Sequence, residues 1–407
     1  MLSAFRNATH LAVQIHIHKS AAPSPTKPIH LALLLDVSGS MNGERIITVK
    51  RTLHAIKPLL RAEDTVTLVT YSSGATCVTN YLEMVPPNVA HLFDQIDRLK
   101  CEGGTNLGAG LGELLRIQRP TKPFSALLLL TDGNVNLGAT NTSELRYMAD
   151  ALRVPVTALG YGDDHNRTLL RDIALNSRGA YNIIDSETRE MLPQILGELM
   201  GGLSVAVCEE AVVSVPQGWA CIERRTTGDR GLSSHYLGRL IPDRDYWVVF
   251  ERPTQTAEPE STPITLWGDG IATEHLTRVP FTDCHELEEQ VLRCKVAAAL
   301  TRAADAIERR EAFKAEVMDL IAKIDLPENE GLRHRPLVAG MRAQLQVIAD
   351  YRASADLMMA RQVTARASAG ASCLSTQQGA LDPALTFSSA HQRQVSSATQ
   401  AVFARTV

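Results

Sequence analysis

The stretch Leu31 to Met41, LALLLDVSGSM, constrains this chain most, because an apolar run ends abruptly in Asp36-Val37-Ser38-Gly39-Ser40. Five apolar residues followed by alternating oxygen-bearing side chains read as a buried strand whose carboxyl end opens into a site. Asp36, Ser38 and Ser40 offer oxygen alone, without Cys or His, and such a donor set selects a hard cation, Mg²⁺ or Mn²⁺, over zinc. Alternate side chains on a tight loop leaving the strand can converge on one point.

From Ile29 the rhythm is strand, helix, strand, helix, which predicts an α/β fold: a doubly wound, mostly parallel sheet covered on both faces. Strands are expected at 30–36, 64–72, 75–80, 124–131, 154–160 and 180–184, and helices at 43–61, 88–99, 106–118, 143–152, 166–177 and 187–200. The return at 75–80 follows the tight Ser72-Ser73-Gly74 turn, so it is expected as an antiparallel edge hairpin. Ligands of such sheets bind beyond the carboxyl ends of the strands, where connections diverge. Asp36 and Asp132 end two such strands, and Thr105 lies on a loop at the same rim. Gly108, Gly110 and Gly112 follow no strand directly, so they suit a helix lying close on the sheet better than a dinucleotide loop.

Three segments, DVSGSM at 36–41, GGTN at 103–106 and LLTDGNVN at 129–136, resemble the parts of the metal-ion-dependent adhesion site of von Willebrand factor A (VWA) domains, a Rossmann-like fold. The resemblance spans about residues 29–200 and implies that Asp36, Ser38, Ser40, Thr105 and Asp132 hold Mg²⁺, with Mn²⁺ as substitute. By the same resemblance Ser38 and Ser40 bind directly, Asp36 and Asp132 act partly through water, and Thr105 engages when a partner is bound. Two carboxylates and three hydroxyls leave one position of an octahedral ion, which the resemblance fills with an Asp or Glu of a protein partner. The competing account, in which the hydroxyls only cap helices and turns, explains each residue singly but not their convergence.

The expected function is therefore a Mg²⁺-dependent protein-binding adaptor, a component of a larger complex and not an enzyme. A metal-dependent hydrolase of phosphatase type on the same carboxylates is the alternative, but a phosphoryl-transfer nucleophile at Asp36 would want a second acid where Ser38 stands. A secreted adhesion protein is a third reading. Against it, Arg6, Asn7, His10 and Gln14 interrupt any apolar leader core in Met1 to Lys19, and no apolar run approaches a membrane span. The expected address is cytoplasmic. A net charge of -4 with scattered Lys and Arg gives no reason to invoke nucleic acid or anionic membrane. Seven cysteines (Cys77, Cys101, Cys208, Cys221, Cys284, Cys294 and Cys373), odd in number and never in a CxxC pair, read as reduced thiols. Cys284 and Cys294 flank a helix start with His285 nearby, and they read as thiols there and not as a ligand cluster.

Around this domain the pattern changes. His10 to His18 alternates, with Leu11, Val13, Ile15 and Ile17 on one face and His16 and His18 on the other, as in a half-buried antiparallel strand. Residues 20–28 read as a stiff linker. Short β-rich runs at 203–213, 219–224, 233–240, 246–251, 264–267 and 271–278 predict a small antiparallel sandwich. The strand at 10–18 is expected to pair with it, which makes the A domain an insertion, a layout resembling bacterial A-domain proteins and inter-alpha-inhibitor heavy chains. Trp219, Trp247 and Trp267 are expected in the sandwich core. Helical periodicity runs from His285 to Ile324 and from Pro336 to about Arg366, and the Ser/Thr/Gln/Ala-rich remainder is expected to be disordered. The expected domains are thus 1–28 (strand and linker), 29–201 (A domain), 202–283 (sandwich), 284–366 (helices) and 367–407 (tail).

Overall fold

The computed structural model describes residues 2–17, 27–132, 134–162, 165–177, 179–184, 192–222, 227–229, 232–242, 244–252, 263–277, 279, 284–309 and 314–350. They divide into two compact units, one from Pro25–Val205 and the other from Met1–Ser24 with Ala206–Ser389. The chain opens with an antiparallel pair, β1 (Leu2–Arg6) and β2 (His10–Ile17), which belongs to the second unit.

The first unit runs β3 (His30–Asp36), α1 (Glu44–Ile56), β4 (Thr65–Tyr71), β5 (Ala75–Glu83), α2 (Pro86–Asp97), α3 (Leu107–Ile117), β6 (Ala126–Thr131), α4 (Thr142–Ala151), β7 (Val156–Tyr161), α5 (Arg167–Asn176), β8 (Tyr181–Ile184) and α6 (Leu192–Val205). The sheet order is β5-β4-β3-β6-β7-β8, parallel throughout except for β5, the antiparallel edge. Every residue of β4, β6 and β7 is buried, as a strand covered on both faces requires. Leu31, Leu33 and Leu35 join Val49 and Leu53 of α1, Phe93 and Ile96 of α2 and Leu196 and Met200 of α6 in one core cluster. On the other face Leu34 meets α3, where a Cβ on Gly110 would lie 2.8 Å from the Leu34 side chain and 3.1 Å from the Tyr71 ring. The absence of a side chain there is what brings the helix down onto the sheet. The chain leaves β3 for β4 on one side and returns to β6 on the other, so β3 and β6 flank the switch point.

The sequence expectation of a strand from Leu203 is corrected: Leu203–Val205 finish α6, and the strand begins at Cys208. Leu192, Leu196, Met200 and Leu203 fall on one helical stripe of the core, and that burial outweighs the β-rich composition.

The second unit continues with β9 (Cys208–Pro216), β10 (Ala220–Cys221), β11 (Thr227–Asp229), β12 (Leu232–Leu240), β13 (Arg244–Glu251), β14 (Ile264–Trp267) and β15 (Glu274–Leu276). Two antiparallel sheets, β1-β2-β13-β10 and β11-β12-β9-β14-β15, share a core of Leu11, Val13, Ile15, Val248 and Phe250 from the first with Val213, Val215, Leu240, Ile264 and Leu266 from the second. β2 pairs along its whole length with β13, from Ile17 opposite Arg244 to His10 opposite Glu251. A strand that precedes the first unit in sequence thus lies in the middle of a sheet completed after it. His16 Nδ1 lies 2.6 Å from Asp245 Oδ1 on that sheet; His18 lies outside the described residues.

Two tryptophans depart from expectation. Trp219 is in the shared core, but Trp267 is 44 % exposed because Ile264 and Leu266 take the inward positions of a period-two strand. Trp247 alternates with inward Tyr246 and Val248, so it faces outward and is buried instead beneath α7 (His285–Arg309), beside Leu287, Val291 and Cys294. The remaining helices, α8 (Lys314–Ile324), α9 (Glu330–Arg333) and α10 (Pro336–Ala349), pack with α7 around Leu300, Leu320, Ile321, Met341 and Leu345. A bidentate Arg342–Asp325 pair, at 2.6 and 2.7 Å, ties α10 to the end of α8. The expected continuation of the last helix to Arg366 and the expected disordered tail lie outside the described residues.

Candidate metal centre

β3 delivers Asp36 to the rim fully buried. Asp36 Oδ1 accepts the Ser38 N–H at 2.9 Å, a two-residue return that turns the chain sharply. Oδ2 accepts the Thr131 hydroxyl at 2.6 Å and the Tyr71 phenol at 3.4 Å. The loop then closes as a short 3₁₀ turn, Gly39–Met41, pinned by Met41 in the core. This turn leaves the Ser38 and Ser40 hydroxyl oxygens 3.1 Å apart, with Ser38 buried and Ser40 exposed at the mouth.

Main-chain hydrogen bonds join the second loop to the first: Glu102 N donates to Val37 O at 2.9 Å and Gly39 N to Gly103 O at 3.0 Å. Thr105 is held by the third loop, where Asn136 Oδ1 accepts the Thr105 N–H at 2.8 Å and Asn136 N donates to Thr105 O at 3.1 Å. That loop begins at Asp132, directly after β6, whose Leu130 stands opposite Leu35 in register. Asp132 is fully buried. Its Oδ2 accepts Arg45 Nη1 at 2.8 Å, while its Oδ1 is buried with no hydrogen-bond partner.

The structure therefore brings Asp36, Ser38, Ser40 and Asp132 to one rim and stitches the Thr105 backbone between the outer loops. A buried carboxylate oxygen without a partner is costly unless something electropositive meets it. With two carboxylates and neighbouring hydroxyls as the donor set, the residues present fit a hard divalent cation. Among the described residues no three His, Cys, Asp or Glu cluster as a metal site, so neither His16 nor the Cys284, His285 and Cys294 region provides another. Four rim residues escaped the sequence reading: Arg45, Tyr71, Thr131 and Asn136. Thr131 and Asn136 sit inside the LLTDGNVN motif, but which neighbours of Asp132 turn inward depends on the loop path.

Burial raises the Asp36 carboxyl above the ordinary Asp range, hydrogen bonds from Ser38 and Thr131 pull it back, and the Asp132 charge adds to the rise. Burial, with the Asp36 charge next, holds the Tyr71 phenol well above its usual value, so it stays a donor. A raised folded-state carboxyl favours the protonated form. The contribution of Asp36 to metal-free stability is therefore full below the ordinary Asp range and is lost as pH rises through the raised value. A cation needs the ionised form, so the rise in melting temperature produced by Mg²⁺ over EDTA is expected to be small in acid and to grow toward neutral pH. Melting curves measured from about pH 5 to 8 check this, and an increment that does not change with pH would contradict it.

Residues 30–198 match the family model of the von Willebrand factor type A domain. A Synechocystis sp. protein described as uncharacterized is 31% identical over 252 residues, 61% of this chain and 53% of its own length. Inter-alpha-trypsin inhibitor heavy chain H3 of Rattus norvegicus is 29% identical over 167 residues, 38% of this chain and 19% of its own. The chain thus spans about half, or less, of these curated relatives. Among solved structures, von Willebrand factor type A from Catenulispora acidiphila superposes with a TM-score of 0.64 at 17% identity, covering 89% of this chain and 93% of that one. The ArnB paralog VWA2 from Sulfolobus acidocaldarius gives 0.54 at 15% identity, covering 88% and 92%. Both show likeness of fold. Residues 30–198 of this chain thus match the von Willebrand factor type A domain model and have its fold.

Proposed function

We propose that this rim binds Mg²⁺ and, with it, an acidic side chain of a protein partner, so that the chain works as an adaptor and not as a catalyst. VWA domains commonly mediate protein–protein interaction and metal-dependent adhesion, and the reading extends that role to this chain. The observation that carries it is the buried, unpartnered Asp132 Oδ1 on the rim that also holds Asp36 and the paired Ser38 and Ser40 hydroxyls. Ser38, Ser40, Asp36 and Asp132 would hold the ion, with Thr105 joining them. When bound, the cation supplies an electrophilic centre short of one ligand, which an Asp or Glu carboxylate satisfies. The protein's own work is to fix these donors: Thr131 and Tyr71 orient Asp36, Asn136 holds the Thr105 backbone, and the buried floor excludes water around the carboxylates. Seven widely spaced cysteines, odd in number and never in a CxxC pair, support a reducing, cytoplasmic setting.

Affinity capture from lysate with Mg²⁺ or with EDTA, read by mass spectrometry beside the Asp132→Ala variant, tests the reading. Expected is a protein retained with Mg²⁺ and lost both with EDTA and with the variant. Retention that ignores both treatments would contradict it. Asn136→Ala is a subtler test: it frees the Thr105 N–H and is expected to weaken Mg²⁺-dependent capture roughly tenfold, in the range seen when residues supporting metal ligands are removed. Unchanged capture would show that the Thr105 loop holds its place without the strap.

A further inference from the structure

We infer that Arg45 is the rim's built-in counter-cation: it neutralises Asp132 when no metal is bound and opposes the metal when one arrives. This deepens the metal-site reading above and rests on it. Arg45 stands in the first turn of α1, directly after Glu44. A helix amino terminus carries partial positive charge and favours acids over bases, so a basic residue there is locally unfavourable. Its guanidinium reaches back over the rim instead. Nη1 donates to Asp132 Oδ2 at 2.8 Å and to the Ser40 carbonyl at 3.2 Å, joining the first and third loops.

The place is shaped for it. Gly162, one residue beyond β7, has the left-handed φ of +82, and a Cβ there would lie 2.8 Å from Arg45 Nη2. A side chain at residue 162 would push the guanidinium off its seat. The Asp132 side chain is fully buried whereas that of Arg45 is 27% exposed, so the pair has a fixed anionic end and a cationic end at the solvent edge that can move away.

Two buried carboxylates with no positive charge nearby repel each other and lose hydration. Arg45 relieves both effects by taking one oxygen of Asp132 and leaving the other, Oδ1, open. A divalent ion entering beside Oδ1 meets a guanidinium on the same carboxylate, so its affinity is lowered by like-charge repulsion. The consequence is a threshold: the loops stay assembled without metal, and occupancy, hence partner capture, responds to the Mg²⁺ concentration instead of being saturated at all times.

Calorimetric titration of the full chain with Mg²⁺ at low ionic strength, paired with melting in EDTA, tests the inference. Arg45→Gln is expected to bind Mg²⁺ about tenfold more tightly, a coupling of ordinary size, and to melt several degrees lower without metal, a shift of about 1 kcal/mol in a domain of this size. Arg45→Lys keeps the charge and is expected to stay within about threefold of the parent affinity. If the parent chain binds Mg²⁺ and Arg45→Gln binds it no more tightly, the counter-cation inference is overturned while the metal site stands. If neither binds, the metal-site reading fails and takes the inference with it.

Discussion

Asp36→Ala is expected to leave the far-UV circular dichroism of the chain native while removing Mg²⁺ binding, a loss of at least about 100-fold, beyond the effect of removing a residue that merely supports a ligand. Asp36 is the hinge of the rim: its two oxygens take the Ser38 N–H, the Thr131 hydroxyl and the Tyr71 phenol. Truncation leaves those donors without their acceptor, at about 1–3 kcal/mol. It also removes a carboxylate whose ionisation burial opposes, which offsets part of that cost. The fold rests elsewhere, on the apolar faces of β3, β4 and β6, so the spectrum persists while the site is lost. Titration calorimetry with parallel circular dichroism reads both effects, and undiminished Mg²⁺ affinity would contradict the assignment.

Gly179→Ala is expected to cost about 3 kcal/mol or more of stability, at the upper end of overpacking effects. A Cβ at Gly179 would lie 1.9 Å from the Val156 carbonyl oxygen and 2.4 Å from its carbon. Both atoms are backbone, so no rotamer change can relieve the clash. The end of α5 is fastened at the same point: the Ser177 hydroxyl accepts Val156 N at 3.0 Å, and Gly179 N donates to Ala174 O at 2.9 Å. Making room would therefore pull α5 and the start of β7 apart together. Gly74→Ala is the matched control, since a Cβ there meets nothing within 4 Å. Urea denaturation of both variants separates them, and equal midpoints would show that the crossover yields.

The central sheet was legible because β3, β4 and β6 are apolar runs between helices with a clear stripe, and the rim because three motifs end or follow such strands. What escaped the sequence depends on partners distant along the chain. β1 is five residues, LSAFR, with no period of its own, and becomes a strand because β2 offers it an edge. Leu203 looked like the start of a strand but completes the core stripe of α6. Trp267 is large and apolar, yet its strand position points it outward. At the rim, the five expected residues were named from their motifs, whereas Arg45 belongs to none of them. Its signal was a base in a helix's first turn, and what resolves it is Asp132, 87 positions later.

Diffraction from crystals of the chain grown with Mn²⁺, collected for the metal's anomalous signal, would locate the ion itself. One strong peak is expected at the rim of β3 and β6, in contact with the Ser38 and Ser40 hydroxyls and beside Asp132 Oδ1. No peak there, or a peak whose ligands come from none of the three loops, would contradict the metal-site reading.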